Sequence, residues 1–309
     1  MMTSTELSAE FAKLRVHQQE GHGAVYKPLL ALLMLGRHFA GNDGALSFEE
    51  YEGAIKPVLD DCAPRERYGS RHYPFWHLQT DGLWELEGPD WLLNRSPGAT
   101  PNIGEFRTAG AAGRFRPDIA LSLAANRALI PPLARQIAET WFPQTVIEEV
   151  LAAVGLPLVG SAEGLVVDSD NARRRDPKFR PAVLLAYQGA CCVCGHDLKV
   201  GGQTVGLEAA HIRWFQRGGP DSVENGLALC SVHHKLYDLG VFTIRPDSLM
   251  IEFSKHALGS SAVTQRLLDY HGEPICTPDD PAERPSDIHL SWHVEELFRE
   301  PARFAETQC

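Results

Sequence analysis

Two short pairs of metal-binding residues constrain this chain more than any other feature. Cys191 and Cys194 are separated by two residues, and so are Cys230 and His233. A pair at this spacing projects both donors from one tight turn toward one point. Two such knuckles in one compact module match a tetrahedral Cys3His zinc site. All four positions are filled by protein, so the zinc expected there is structural. Unrelated core residues are the bland alternative, which a single Cys-x-x-Cys would leave open and two pairs disfavour. Cys192 lies inside the first knuckle as a rival ligand. Of the seven cysteines, Cys62, Cys192, Cys276 and Cys309 remain and read as free thiols. That usage suits reduced thiolates on a metal rather than a disulfide framework.

Between and after the knuckles run Leu207-Glu-Ala-Ala-His-Ile212, Gly218-Gly-Pro-Asp221, Glu224-Asn-Gly-Leu-Ala-Leu-Cys230 and His233-His-Lys-Leu-Tyr-Asp-Leu-Gly240. A His, an Asn and a His in this order, interleaved with a zinc frame, resemble the HNH endonuclease family and its ββα-metal fold. The resemblance covers about a fifth of the chain. Phosphodiester hydrolysis needs an activated water, and neutral imidazole takes a proton well near neutral pH. His211 is the expected general base, and Asn225 resembles the residue that braces the loop and orients the base. His234 is the expected ligand of a catalytic divalent ion, Mg2+ or Mn2+, because one helical step turns it roughly 100° from the zinc ligand His233. Family members often carry Asp or His just before the base, and here Ala210 stands there. The missing ligand is expected from Glu208 or Asp238. Asp238 lies one helical turn after His234, where a structural carboxylate is an equal alternative. Glu208 would need a strand bulge to reach the side of His211.

The chain's 309 residues and 44% apolar content allow two globular domains. No apolar run is long enough to span a bilayer and no signal peptide is visible, so the expected place is the cytoplasm. Helices are expected over 6–20, 24–39, from Ser47 as N-cap toward Leu59, twice within 104–138 with the Gly-rich Ala109 to Gly113 and Pro131-Pro132 as separators, and over 144–154. Residues 73–86 read as a hairpin turning at Thr80-Asp-Gly82. The pattern weakens into an expected linker at 156–180. Beyond Ile244 a strand, a helix near 261–270 and a last helix near 291–304 are expected. The fold class is therefore α+β: a mainly helical domain with a small sheet over 1–155, and a ββα-metal domain with structural zinc and a helical extension over 181–309. His289 and His293 read as packing or interface residues.

The net charge of −11 argues against nucleic acid only as an average, since binding needs a local basic face. Arg65 to Arg71, Arg107 to Arg116 and Asn171 to Arg180 supply local cations. Two basic and aromatic clusters lie in the first half, one from Arg67 to His77 and one from Arg107 to Ala120. With a C-terminal HNH module, this layout resembles the McrA-type restriction endonucleases that recognise phosphorothioated DNA through a sulfur-binding domain. The resemblance implies a small apolar cup containing a Pro and an Ala three residues later, the spacing of Pro117 and Ala120. Arg116 stands where an aromatic residue is expected, and Tyr73-Pro74 is a second candidate for the cup. Arg71, His72, Arg107 or Arg114 would hold the remaining anionic charge. An apolar cup accepts a weakly hydrated sulfur cheaply, while stripping water from an oxygen costs about 1–3 kcal/mol. Without the resemblance, Pro117 is simply a proline in a first helical turn.

The function implied is a modification-dependent restriction endonuclease acting on double-stranded DNA. A homodimer would place two active sites on one duplex, with the helix around Trp292 and Leu297 as part of its interface. A reader of methylated cytosine and a non-catalytic zinc-stabilised DNA-binding protein are the alternatives.

Overall fold

The structure is a computed structural model and describes residues 1–15, 18–19, 22–23, 25–62, 71–96, 98–157 and 176–303. It divides into two compact units, Met1–Ala172 and Arg173–Cys309. Most of the expected linker (158–175), Arg173 to Arg175, and 65–70 of the first basic run lie outside the described residues.

In the first unit, α1 (Ser4–Phe11) opens on a capping box in which Thr3 Oγ1 accepts the Glu6 amide at 3.2 Å. The helix expected over 6–20 is shorter: 12–15 lie beyond it and 18–19 form a strand, while 16, 17 and 20 lie outside the described residues. The short strands β1 (Gln18–Gln19) and β2 (His22–Gly23) pair antiparallel. α2 (Tyr26–Phe39) is the central helix. Leu29, Leu30, Leu32, Leu33, Met34 and Leu35 are all buried, so it is covered on every side. It packs against α3 (Phe48–Cys62), α8 (Ile130–Trp141) and α4 (Tyr73–His77). Gly36 is required by a close approach: a Cβ there would lie 1.9 Å from the Val154 carbonyl oxygen, just after α9 (Ile147–Ala153).

Ser47 caps α3 as expected, accepting the Glu50 amide while Glu50 accepts the Ser47 amide. The expected hairpin over 73–86 is replaced by α4, a 3-10 turn at Leu78–Asp81 and the single strand β4 (Trp84–Glu87). Phe75, Trp76 and Leu78 are all buried. Consecutive aromatics with Pro74 in the first turn fit a short buried helix, whereas a strand would expose alternate residues. Gly82, at φ 73°, ends that turn.

After α5 (Asp90–Leu93) and α6 (Ile103–Thr108), the Gly-rich stretch expected as a separator pairs instead. β5 (Ala112–Phe115) lies between β3 (Leu46–Ser47) and β4 in an antiparallel three-stranded sheet. Gly113 forms the seat of the Trp84 indole, which a side chain would displace. α7 (Pro117–Ala125) then leads to α8 and α9.

In the second unit, α10 (Phe179–Ala186) precedes the first knuckle and the hairpin of β6 (Lys199–Val200) and β7 (Gln203–Thr204). β8 (Leu207–His211) pairs antiparallel with β9 (Gly226–Cys230), Leu207 opposite Cys230 and His211 opposite Gly226. α11 (Ser231–Asp238) follows directly, completing a ββα unit. β10 (Phe242–Ile244) and β11 (Ile251–Phe253) form a second hairpin, followed by α12 (Ala262–Leu268) and α13 (Asp287–Glu296). The core joins Val183, Leu207, Ala210, Leu227, Leu229, Tyr237, Phe242, Phe253 and Leu290.

The last helix begins and ends earlier than the expected 291–304. Beyond it Arg299 and Arg303 donate backbone bonds to Gly240 and Phe253, and Pro301 cannot continue a helix. Trp292 and Leu297 are buried in their own unit, with Trp292 against Trp214, so they cannot form the expected dimer face. His293 is a packing residue: it stacks on Tyr237 at 3.6 Å and bonds Thr243, and burial holds it down at about 4.

Candidate active site and metal centre

The zinc knuckles meet because β9 delivers Cys230 to the start of α11, beside the turn that carries Cys191 and Cys194. One donor atom from each of Cys191, Cys194, Cys230 and His233 lies within 4.8 Å of all the others. Cys194 Sγ is 3.9 Å from Cys230 Sγ, and His233 Nδ1 is 3.7 Å from Cys191 and 3.2 Å from Cys230. A tetrahedron with zinc–ligand bonds of about 2.0–2.3 Å has edges of roughly 3.3–3.8 Å, so this donor set fits zinc. The hydrogen bonds among these thiols push Cys191 far down and Cys194 up. Cys192 points elsewhere: it is fully buried, its amide bonds Ala228, and burial pushes its thiol up, away from thiolate character.

His234 faces away from this cluster and lies between two carboxylates. Its Nδ1 meets Glu208 Oε2 at 2.6 Å, and its Nε2 meets Asp238 Oδ2 at 3.2 Å. β8 pairs with β9 residue for residue, without the bulge expected if Glu208 were to join His211. Glu208 joins His234 instead. The two carboxylates differ sharply. The Asp238 side chain is 2% exposed and accepts the Trp214 indole N–H at 3.0 Å, while that of Glu208 is 41% exposed and accepts from Ser231 at 2.7 Å. Burial opposes charge on His234, but Asp238 and then Glu208 overcome it and hold the ring up at about 9. Glu208 is held down at about 2, chiefly by its hydrogen bond with His234.

His211 closes β8. Its Nε2 meets Asp221 Oδ1 at 2.7 Å, and the ring stacks on Phe179 at 4.0 Å with planes 17° apart. Asn225 is fully buried, and its side chain bonds the loop backbone rather than the ring. Its Oδ1 accepts the Arg213 amide at 2.9 Å, and its Nδ2 donates to the carbonyls of Arg213 at 3.1 Å and Pro220 at 2.9 Å. The loop packs so tightly there that a Cβ on Gly219 would lie 1.8 Å from the Arg213 carbonyl oxygen. Asn225 therefore reaches His211 through the loop, and the carboxylate that holds the His211 ring is Asp221. Sequence reasoning missed Asp221, Phe179 and Trp214. The Gly-Gly-Pro-Asp loop was the only signal for the first, and nothing in the spacing marked the other two.

In the first unit the arginines of the expected site are each held by a carboxylate. Arg71 (3.3 Å) and Arg107 (2.8 Å) share Glu52 of α3; Arg114 meets Glu87 at 3.2 Å; Arg116 meets Asp118 at 2.7 Å and donates to the Gly82 carbonyl. Arg107 is the most open, with its side chain 59% exposed. Pro117 is exposed and Ala120 half-buried, one turn apart at the start of α7. The second cup candidate does not hold together at the surface. Tyr73 is 47% exposed and set edge-on to His72, but His72 and Pro74 are buried, because the short helix α4 turns Pro74 inward with Phe75 and Trp76.

The family profile described as the ScoMcrA-like, DNA sulfur-binding domain matches residues 4–158, and that of the HNH endonuclease matches residues 191–245. Solved structures similar to this chain include the sulfur-binding domain of ScoMcrA complexed with phosphorothioated DNA, at 19% identity and a TM-score of 0.39 over 48% of this chain and 97% of that one. The sulfur-binding domain of SprMcrA in such a complex is 20% identical with a TM-score of 0.38, over 50% of this chain and 95% of that one. The modification-dependent TagI restriction endonuclease is 25% identical with a TM-score of 0.30, over 42% of this chain and 40% of that one. No curated protein matches.

Proposed function

The chain belongs to the ScoMcrA-like DNA sulfur-binding domain family, and from that premise we propose that it is a modification-dependent restriction endonuclease. Residues 1–155 would bind double-stranded DNA at a phosphorothioate, and residues 181–309 would hydrolyse phosphodiesters nearby. One observation carries this reading: a profile for sulfur-bearing DNA and an HNH module with two carboxylate-held imidazoles lie on one chain.

His211 is the general base. With the proton on Nε2 held by Asp221, the lone pair that takes a proton from water is on Nδ1. His234 and the more exposed Glu208 are the residues to hold the catalytic ion, on the Nδ1 side of the ring. Asp238, buried and already bonded to Trp214, holds Nε2 and so orients the ligand from behind. A divalent ion bound there, Mg2+ or Mn2+, supplies charge to stabilise the attacked phosphate and the leaving oxygen. Cys191, Cys194, Cys230 and His233 would hold a structural zinc, tying the first knuckle to the start of α11, the helix that carries His234.

Pro117 and Ala120 form the sulfur-accepting surface in this reading, with Arg71, Arg107, Arg114 and Arg116 as the phosphate contacts. Cutting both strands with one centre per chain calls for a homodimer, through a face other than the buried Trp292–Leu297 end.

The decisive experiment compares a phosphorothioated plasmid with its unmodified twin, with Mg2+ or Mn2+, using wild type and His211→Ala. Wild type should linearise only the modified plasmid, and His211→Ala should bind it without cutting. Equal cutting of both plasmids removes the sulfur reader; equal cutting by both proteins removes the catalytic assignment.

A further inference from the structure

His211 is gripped by residues that belong to neither zinc knuckle nor to the metal-binding face. Asp221 takes Nε2 at 2.7 Å, with the two side chains 11% and 12% exposed. Phe179, the buried first residue of α10, lies flat on the ring. Asp221 is itself held: its second oxygen, Oδ2, accepts the Asp176 amide at 2.7 Å. The carbonyl of the preceding residue, Pro220, accepts from Asn225. The turn that enters α10 thus reaches the base twice, once through a stacked ring and once through the carboxylate.

We propose that Asp221 and Phe179 are positioning residues for the base, so that the Asp176–Phe179 turn is a working part of the active site. This rests on His211 being the general base. Asp221 keeps the ring proton on Nε2, which leaves the lone pair on Nδ1, and it stabilises the imidazolium that forms when water gives up its proton. Phe179 stops the rotation about χ2 that would turn Nε2 away from the carboxylate, and its π face favours the cationic ring. Asparagine at 221 changes the chemistry with little change of shape. Its amide N–H donates to Nε2, which shifts the ring proton to Nδ1, where the base needs its lone pair.

The test uses the full-length zinc-loaded protein, a phosphorothioated plasmid and Mn2+. Asp221→Asn should lower kcat about 100-fold, within the range for general-base catalysis, with KM within about twofold. Phe179→Leu should lower kcat about tenfold, and Phe179→Tyr, which keeps the stack, should restore most of it. A readout independent of cleavage is the 15N spectrum of histidine-labelled protein without added Mn2+. The His211 signals, identified by their loss in His211→Ala, should mark the Nε2–H form in wild type and move toward the Nδ1–H form in Asp221→Asn. If His211→Ala cuts like wild type, the base assignment fails and this proposal falls with it. If His211→Ala is inactive while Asp221→Asn keeps wild-type kcat and tautomer, the positioning role alone is overturned. A kcat loss matched by a fall in melting temperature and zinc content would also overturn it, since the residue would then be merely structural.

Discussion

The two candidate sites of this chain, one in each unit, use carboxylates in opposite ways. In the C-terminal unit Glu208, Asp221 and Asp238 face imidazoles. In the N-terminal unit Glu52, Glu87 and Asp118 face arginines. A carboxylate beside an imidazole decides whether that ring holds a proton or a metal ion, which is a chemical setting. A carboxylate beside an arginine cannot change the charge, because guanidinium stays protonated; it only occupies the fork that a phosphate would take. The first arrangement suits proton transfer and the second suits exchange of one anion for another. In the proposed function, a chain of net charge −11 would offer cations to DNA through these arginines, a backbone phosphate taking the place of each carboxylate.

The comparison can be broken most severely at the zinc. Cys230→Ser, or zinc removal by a chelator, should unfold the C-terminal unit while the N-terminal unit keeps its melting transition, read by calorimetry. A single joint transition would mean that the units do not fold independently. Next in size, Glu208→Gln should weaken Mn2+ binding about 10- to 100-fold by titration calorimetry, and Asp238→Asn should weaken it less, as a residue behind the ligand. The reverse order would exchange their roles.

A smaller effect follows from pH. His234 is held up at about 9, so an incoming ion must displace its proton. Apparent Mn2+ affinity should rise roughly tenfold per pH unit from 7 to about 9 and then level off. Without the ion, the His234 contribution to stability is complete below its ordinary 6.5 and is lost as pH rises through about 9. That of Glu208 is complete above its ordinary 4.5 and is lost as pH falls through about 2. Stability from this pair is therefore greatest between those two ordinary values. A flat Mn2+ affinity across pH 7 to 9 would contradict the pairing.

The smallest effects belong to the arginines. Arg107→Ala should weaken binding of a phosphorothioated duplex a few-fold and reduce the slope of log affinity against log salt by about one. Glu52→Gln, which frees Arg71 and Arg107 from their shared counterion, should tighten binding. Binding unaffected by either change would place the DNA on another face.

The zinc donors, the two histidines and the helical N-terminal unit were legible in the chain because their signals are local. A knuckle is defined over four residues, and α2 advertises its burial by an unbroken apolar run. What failed were readings that depended on partners remote in sequence. The stretch 73–86 looked like a hairpin because alternation was visible, while the true partner of β4 lies at Ala112–Phe115. Pro74 looked available for a surface cup, and only its packing with Phe75 and Trp76 turned it inward.

The residues 191–234 alone determined that three thiols and an imidazole would converge in a set fit for a cation and that two further imidazoles would stand outside it, since backbone geometry forces neighbours in a turn or helix into set directions. Which carboxylate would attend which imidazole was decided only by folding. Glu208 reaches across from a strand to α11, Asp221 comes from the far end of a loop, and Phe179 arrives from another helix. Those distances in space are set by how the core of the second unit packs, and no spacing along the chain encodes them.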